Sequence, residues 1–163
     1  MSLRVGQGFD AHRLAPGRSL RLGGVAIPHD RGLVGHSDGD VLLHAIARAL
    51  LGALGAGDLG VHFPSSDARW RGAESGAFVR EAVRLAREKG FALANLDATL
   101  IAEAPRLAPH QQAMRASVAA LLGAPVEAVN LQITSTDGLG AIGRGEGIAA
   151  QAVVLLATTV AGG

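Results

Sequence analysis

Ten residues of this chain, Gly35-His36-Ser37-Asp38-Gly39-Asp40-Val41-Leu42-Leu43-His44, hold two imidazoles and two carboxylates in a mostly apolar neighbourhood. A second polar cluster lies upstream at Gly8-Phe9-Asp10-Ala11-His12. The chain has no cysteine, so a metal would have to be held by His, Asp or Glu. Asp10 and His12 sit at i and i+2, which places both on one face of a strand. His44 would add a third ligand from a helix, and three protein ligands leave a zinc ion one open position for substrate or water. Alone, Asp-x-His reads as well as a turn carboxylate beside an ordinary histidine. The nearby second cluster is what turns the reading toward a metal.

Two other stretches have suggestive chemistry. Thr134-Ser135-Thr136-Asp137-Gly138 puts hydroxyls and a carboxylate at the end of a strand. That suits phosphate oxygens and a hard cation such as magnesium, and equally a plain strand-to-turn junction. Gly143-Arg144-Gly145-Glu146-Gly147 has no Walker lysine and no helix after it, so it is not a P-loop. It reads as a close backbone approach with an Arg–Glu pair. No Ser–His–Asp triad presents itself, and a sugar cleft with paired carboxylates would lack an aromatic platform.

These side chains need elements to position them. Residues 1–163 fit one domain, and 48% hydrophobic residues suffice for a core. A net charge of +1 and 3% aromatics leave neither a basic field nor stacking platforms for nucleic acid. The N-terminus has no signal-peptide pattern, and the apolar run 147–160 is too short to span a bilayer. A soluble cytoplasmic protein is expected.

Residues 3–12 read as a strand with Val5, Gln7, Phe9 and Ala11 on one face and Gly6, Gly8, Asp10 and His12 on the other. Residues 19–27 suggest a hairpin turning at Gly23-Gly24, and 28–35 a loop. A helix follows, capped by Ser37 or Asp38, with Asp40 placed to orient the His44 imidazole from one turn away. Residues 58–72 read as a long polar loop. Then come a helix over 75–89, a strand over 91–102, a helix over 109–122, and strands over 129–136 and 148–160. The fold class is α/β (α+β): one sheet with helices on one face, in a βαββαβ arrangement.

Taken together, the motifs resemble the 2-C-methyl-D-erythritol 2,4-cyclodiphosphate synthase family. The match runs through Gly8 to His12, Gly35 to His44, Gly57-Asp58-Leu59-Gly60, Phe63-Pro64 and Asp67, Ala104-Pro105, Pro109-His110, and Gly143 to Gly147. The resemblance implies a ferredoxin-like βαββαβ homotrimer with active sites between subunits. It implies a CMP-forming phosphorus–oxygen lyase that acts on a small cytidyl diphosphate, with no nucleic-acid or membrane partner.

Residue by residue, the resemblance makes Asp10, His12 and His44 ligands of one zinc ion per subunit. His36 and Ser135 support the transition state, and Asp10, His12, His36 and Ser37 also contact substrate. Asp58, Gly60 and the loop Phe63, Pro64, Ser65, Ser66 and Asp67 hold the methylerythritol unit. Ala102, Ala104, Pro105, Arg106, Leu107 and Ala108 read the cytosine. Thr134, Ser135, Thr136 and Asp137 take the diphosphate, with Asp137 on a second cation, Mg2+ or Mn2+. Ala141 and Arg144 complete the substrate contacts. Ser135, Asp137, Gly138, Arg106 and Ala141 depart from the commoner Thr, Glu, Lys, Lys and a bulkier residue. Two alternatives stand beside this reading: another zinc-dependent phosphoester hydrolase, and a non-enzymatic trimeric ligand-binding protein.

Overall fold

In the computed structural model, which describes residues 1–159, one strand and one helix set the frame. Strand β1 (Leu3–Pro16) carries Gly6 and Gly8 toward helix α1 (Val41–Ala53). A Cβ on Gly6 would lie 1.9 Å from the carbonyl oxygen of Ala49, and one on Gly8 would lie 2.0 Å from that of Ala45. Helix and strand backbones therefore touch, which only glycine permits. Two strand residues advance about 6.7 Å and four helical residues about 6 Å, so the contact repeats in step. The face expected for β1 is the face seen: Gly6 and Gly8 are buried, whereas Val5 and Phe9 are 67% and 54% exposed on the other side.

The remaining elements follow in order: strands β2 (Leu20–Leu22), β3 (Val25–Ile27) and β4 (Arg31–Leu33), then α1, a short helix α2 (Leu59–His62) and helix α3 (Gly76–Glu88). After them come β5 (Phe91–Ile101), α4 (Gln111–Leu122), β6 (Val129–Thr134), a short α5 (Gly140–Gly143) and β7 (Gly147–Thr158). The main sheet has the order β4-β1-β7-β5-β6, and β2-β3 form a separate hairpin. Strand β7 runs antiparallel to both β1 and β5, and β5 and β6 are parallel.

The chain is a mixed α/β fold, but the expected βαββαβ order is not the one seen. Helix α4 connects β5 to β6, as a parallel pair requires, and the last strand inserts between β1 and β5. The segment 28–35, expected as a loop, contains β4, which extends the sheet by pairing with Leu14–Pro16. A three-residue edge strand is too short to show alternation. The polar segment 58–72, expected to be irregular, holds α2 and a 3-10 turn at Ala68–Trp70. Val160, the last residue of the expected final strand, lies outside the described residues.

Helix α1 is apolar nearly all round because it is covered on nearly all sides. Its cap is neither Ser37 nor Asp38. Asp40 caps it, accepting from the Leu43 amide at 3.1 Å. The same carboxylate accepts from the amides of Gly23 at 2.9 Å and Gly24 at 2.7 Å, tying the β2-β3 hairpin to the helix start. Burial pushes this carboxyl up to about 6, against the pull of those amides. Asp40 is thus fully engaged by the backbone and does not touch the His44 ring.

Among the described residues no helix is long and apolar enough to cross a membrane. Replacing Gly8 by valine is expected to lower unfolding free energy by about 3 kcal/mol, the upper range of an overpacked site. Urea denaturation checks this, and an unchanged midpoint would show that α1 does not rest on β1 as described.

Candidate active site

The β1–α1 contact brings Asp10 and His12 against the first turn of α1. Asp10 Oδ2 is 2.8 Å from His12 Nε2 and 2.9 Å from His44 Nδ1, and the two ring nitrogens are 3.1 Å apart. For His12 the outward nitrogen settles which atom carries the lone pair. His12 Nδ1 lies 2.6 Å from the Val34 carbonyl, which only accepts, so the proton sits there and Nε2 is free. His44 Nε2 lies 3.0 Å from Ser37 Oγ and 2.9 Å from Ser75 Oγ. Three atoms that could hold a metal ion thus converge, with hydrogen-bonding groups behind both imidazoles, as behind histidine ligands to a metal.

The electrostatics agree. Burial would push the Asp10 carboxyl up, but hydrogen bonds from His12 and His44, and their charges, hold it well below the usual carboxylate range. The His12 imidazole is raised above its ordinary value by its hydrogen bond to Asp10, against the opposing effect of burial. Arg48 stands one turn beyond His44, with a guanidinium nitrogen 3.8 Å from the second oxygen of Asp10.

The trio lies at the wall of a cavity of about 260 Å³. His36, Ser37, Gly60, Phe63 and Ser65 line it among the residues expected in the site. Trp70 and Arg71 of the 58–72 segment also line it, and so do Arg48 and Phe78, which were not anticipated. Arg48 follows His44 at i+4, a helical spacing that would have placed it on the same face. Phe63, Trp70 and Phe78 form one aromatic wall, with ring centroids 4.5 Å apart for Phe63–Phe78 and 4.9 Å for Phe63–Trp70.

Other expected residues have local partners. Asp58 caps α2 through the Val61 amide at 3.1 Å. Asp67 pairs with Arg69 at 2.6 Å, Pro64 is half-buried and Ser66 is exposed. Arg144 pairs with Glu146 at 2.7 Å, as its own sequence context suggested.

The cytosine and diphosphate segments meet each other and not the cavity. Ala102 N donates to the Thr134 carbonyl at 3.0 Å, and the amides of Thr136 and Gly138 donate to Glu103 Oε1 at 3.0 and 3.3 Å. Ala104–Pro105 is cis, Leu107 is buried, and Arg106 and Ala108 are exposed. Asp137 takes a left-handed turn at φ 52°, where its Oδ1 accepts from Ser135 Oγ at 3.3 Å. Ala141 lines a second groove with Ala11, His12 and Arg13.

The pairings His12↔Ile148, Ala149↔Ile101 and Ile101↔Thr134 put both groups at one end of the sheet. Strands β7 and β5 stand between them, a separation of roughly 14 Å at the usual strand spacing. Within one chain, His36 and Ser135 are not brought together.

Fold and site together define a mixed α/β protein with an Asp-His-His group that could hold a metal, beside a cavity lined by Arg48 and Arg71. The YgbB family model matches residues 3–157, and the chain belongs to that family. It is 56% identical over 154 residues to the 2-C-methyl-D-erythritol 2,4-cyclodiphosphate synthase of Geobacter sulfurreducens, covering 94% of this chain and 98% of that one. It is 54% identical over 156 residues to the synthase of the same name from Xylella fastidiosa, covering 96% and 89%. A solved structure of a 2C-methyl-D-erythritol-2,4-cyclodiphosphate synthase in a CDP-bound form superposes with a TM-score of 0.88 at 42% identity, covering 94% of this chain and all of that one.

The hydrogen bond to Asp10 raises the His12 imidazole above its ordinary value in the metal-free chain, so zinc competes there with a proton held more tightly than on a free imidazole. Affinity for zinc is therefore expected to rise about tenfold per pH unit through the titration of His12 and to level off above it. Chelator competition between pH 6 and 9 checks this, and a flat profile would remove His12 from the ligand set.

Proposed function

We propose that this chain converts 4-diphosphocytidyl-2-C-methyl-D-erythritol 2-phosphate into 2-C-methyl-D-erythritol 2,4-cyclodiphosphate and CMP, in the non-mevalonate route to isoprenoids. The carrying observation is the convergence of Asp10, His12 and His44 beside a cavity flanked by Arg48 and Arg71. An oxygen of the 2-phosphate attacks the β-phosphorus of the same molecule. The bond from that phosphorus to the bridging oxygen breaks, and CMP leaves with the oxygen. The nucleophile is already an anion, so position and charge neutralisation are what the protein supplies.

Asp10, His12 and His44 hold zinc. When bound, the ion supplies Lewis-acid polarisation of a phosphate oxygen. His36, exposed at the cavity rim, donates a hydrogen bond to the phosphoryl oxygens as charge builds there. Arg48 and Arg71 draw the anionic substrate into the cavity. Asp58 and the 63–67 loop grip the methylerythritol hydroxyls. Ser135 supports the reacting phosphate, Asp137 holds magnesium or manganese at the diphosphate, and residues 102–108 read the cytosine.

These last groups come from a neighbouring copy in a homotrimer. Two observations support that part of the reading. The two half-sites stand apart within one chain, and the uncovered sheet face exposes Val5, Phe9 and Val153 at 67%, 54% and 40%.

Purified protein with zinc and magnesium is expected to release CMP and cyclic diphosphate in equal amounts, and to sediment as three chains. His44→Ala is expected to lose bound zinc and to lower turnover at least a hundredfold, as loss of a charge-stabilising group does. Product analysis by phosphorus NMR decides the matter. An acyclic hydrolysate would instead make the protein a phosphoester hydrolase, and an inert trimer would make it a binding protein.

A further inference from the structure

Ser75 occupies the N-cap position of α3, where a serine ordinarily turns its hydroxyl to a helix amide. Here the hydroxyl makes no capping bond. It is fully buried and lies among three other groups: Oγ donates to Asp38 Oδ1 and lies 2.9 Å from His44 Nε2 and 3.1 Å from Ser37 Oγ. Asp38 is fixed from behind. Its Oδ1 also accepts from the Asp40 amide at 3.1 Å, and its Oδ2 accepts from the Ser75 amide at 3.2 Å. Arg21 stands 3.9 Å from Oδ2. With backbone amides on both oxygens, Asp38 is an acceptor, so the Ser75 proton points to it. The lone pairs of Ser75 Oγ are then left to accept from the N–H of His44 Nε2 and from the Ser37 hydroxyl.

We propose that Asp38 and Ser75 are positioning residues that select the tautomer of His44. The chain Asp38–Ser75–His44 holds the proton on Nε2 and turns the Nδ1 lone pair toward Asp10 and His12. This inference rests on the reading of Asp10, His12 and His44 as a divalent-metal site, and it gives that site a carboxylate behind the ligand, relayed by one hydroxyl. It also explains why the segment before α1 is bound to the segment before α3. The Asp38 amide donates to the Ala73 carbonyl at 3.2 Å, and the Gly72 amide to the His36 carbonyl at 2.8 Å. Asparagine at position 38 would break the arrangement in either orientation of its amide, because an NH2 group would face a backbone N–H.

The test is zinc affinity of the full chain by competition with a chromophoric chelator, with no substrate present. Asp38→Asn and Ser75→Ala are expected to weaken zinc binding about 10- to 100-fold. Ser75→Thr, which keeps the hydroxyl, is expected to bind close to the parent value. Unfolding curves of the metal-free variants separate this effect from misfolding. Nitrogen-15 NMR of the zinc-loaded parent protein reads the tautomer directly and needs no variant. His44 is expected with Nε2 protonated and Nδ1 on zinc. Zinc on Nε2, or parent-like affinity in both Asp38→Asn and Ser75→Ala, would overturn the proposal. Loss of cyclase turnover with the zinc site intact would sink the proposed function and leave this inference standing.

Discussion

The structure depends on one close contact, the backbone of α1 lying on β1 where Gly6 and Gly8 have no side chains. The carbonyl oxygens of Ala49 and Ala45 occupy the space that Cβ atoms would need. Because four helical residues nearly match two strand residues, the next step along the pair brings His44 to Asp10 and His12. The Asp10, His12 and His44 trio continues this contact with polar side chains in place of glycines. Strand β1 is held in the sheet by β7 along Leu3–Arg13, so the ligand pair has little freedom to move apart from its scaffold.

Three aspartates of similar sequence context do three different things, and their surroundings decide which. Asp40 is buried and satisfies backbone amides of α1 and of the β2-β3 hairpin. Asp38, two residues earlier, faces Ser75 across the gap to α3. Asp58 caps a short exposed helix beside the cavity and stays accessible to a ligand. A carboxylate at a helix start is stabilised by the helix dipole in each case. What differs is whether an oxygen is left over for anything else.

Much of this was legible in the chain, for reasons that particular residues show. The alternation from Val5 to His12 fixed the two faces of β1, because one face is buried and a strand has period two. Asp10, His12 and His44 were recoverable because the strand and helix spacings around them are regular. The strand order was not recoverable. Nothing local to Ile148–Thr158 states that it inserts between β1 and β5, since that choice is made by pairing partners distant in sequence. The cap of α1 was misassigned because Ser37, Asp38 and Asp40 are all good caps by type. Only the hairpin amides of Gly23 and Gly24 single out Asp40. Ser75 left no signal beyond a helix start, and its service to His44 is visible only once α3 is laid beside α1.

The account stands or falls on three ligands and on which atoms they use. X-ray absorption at the zinc edge of the loaded protein, without substrate, reads both. The account predicts two imidazole nitrogens and one carboxylate oxygen at about 2.0–2.2 Å, with a fourth light-atom neighbour from solvent. A first shell with a single imidazole, or one of six oxygens, would contradict it.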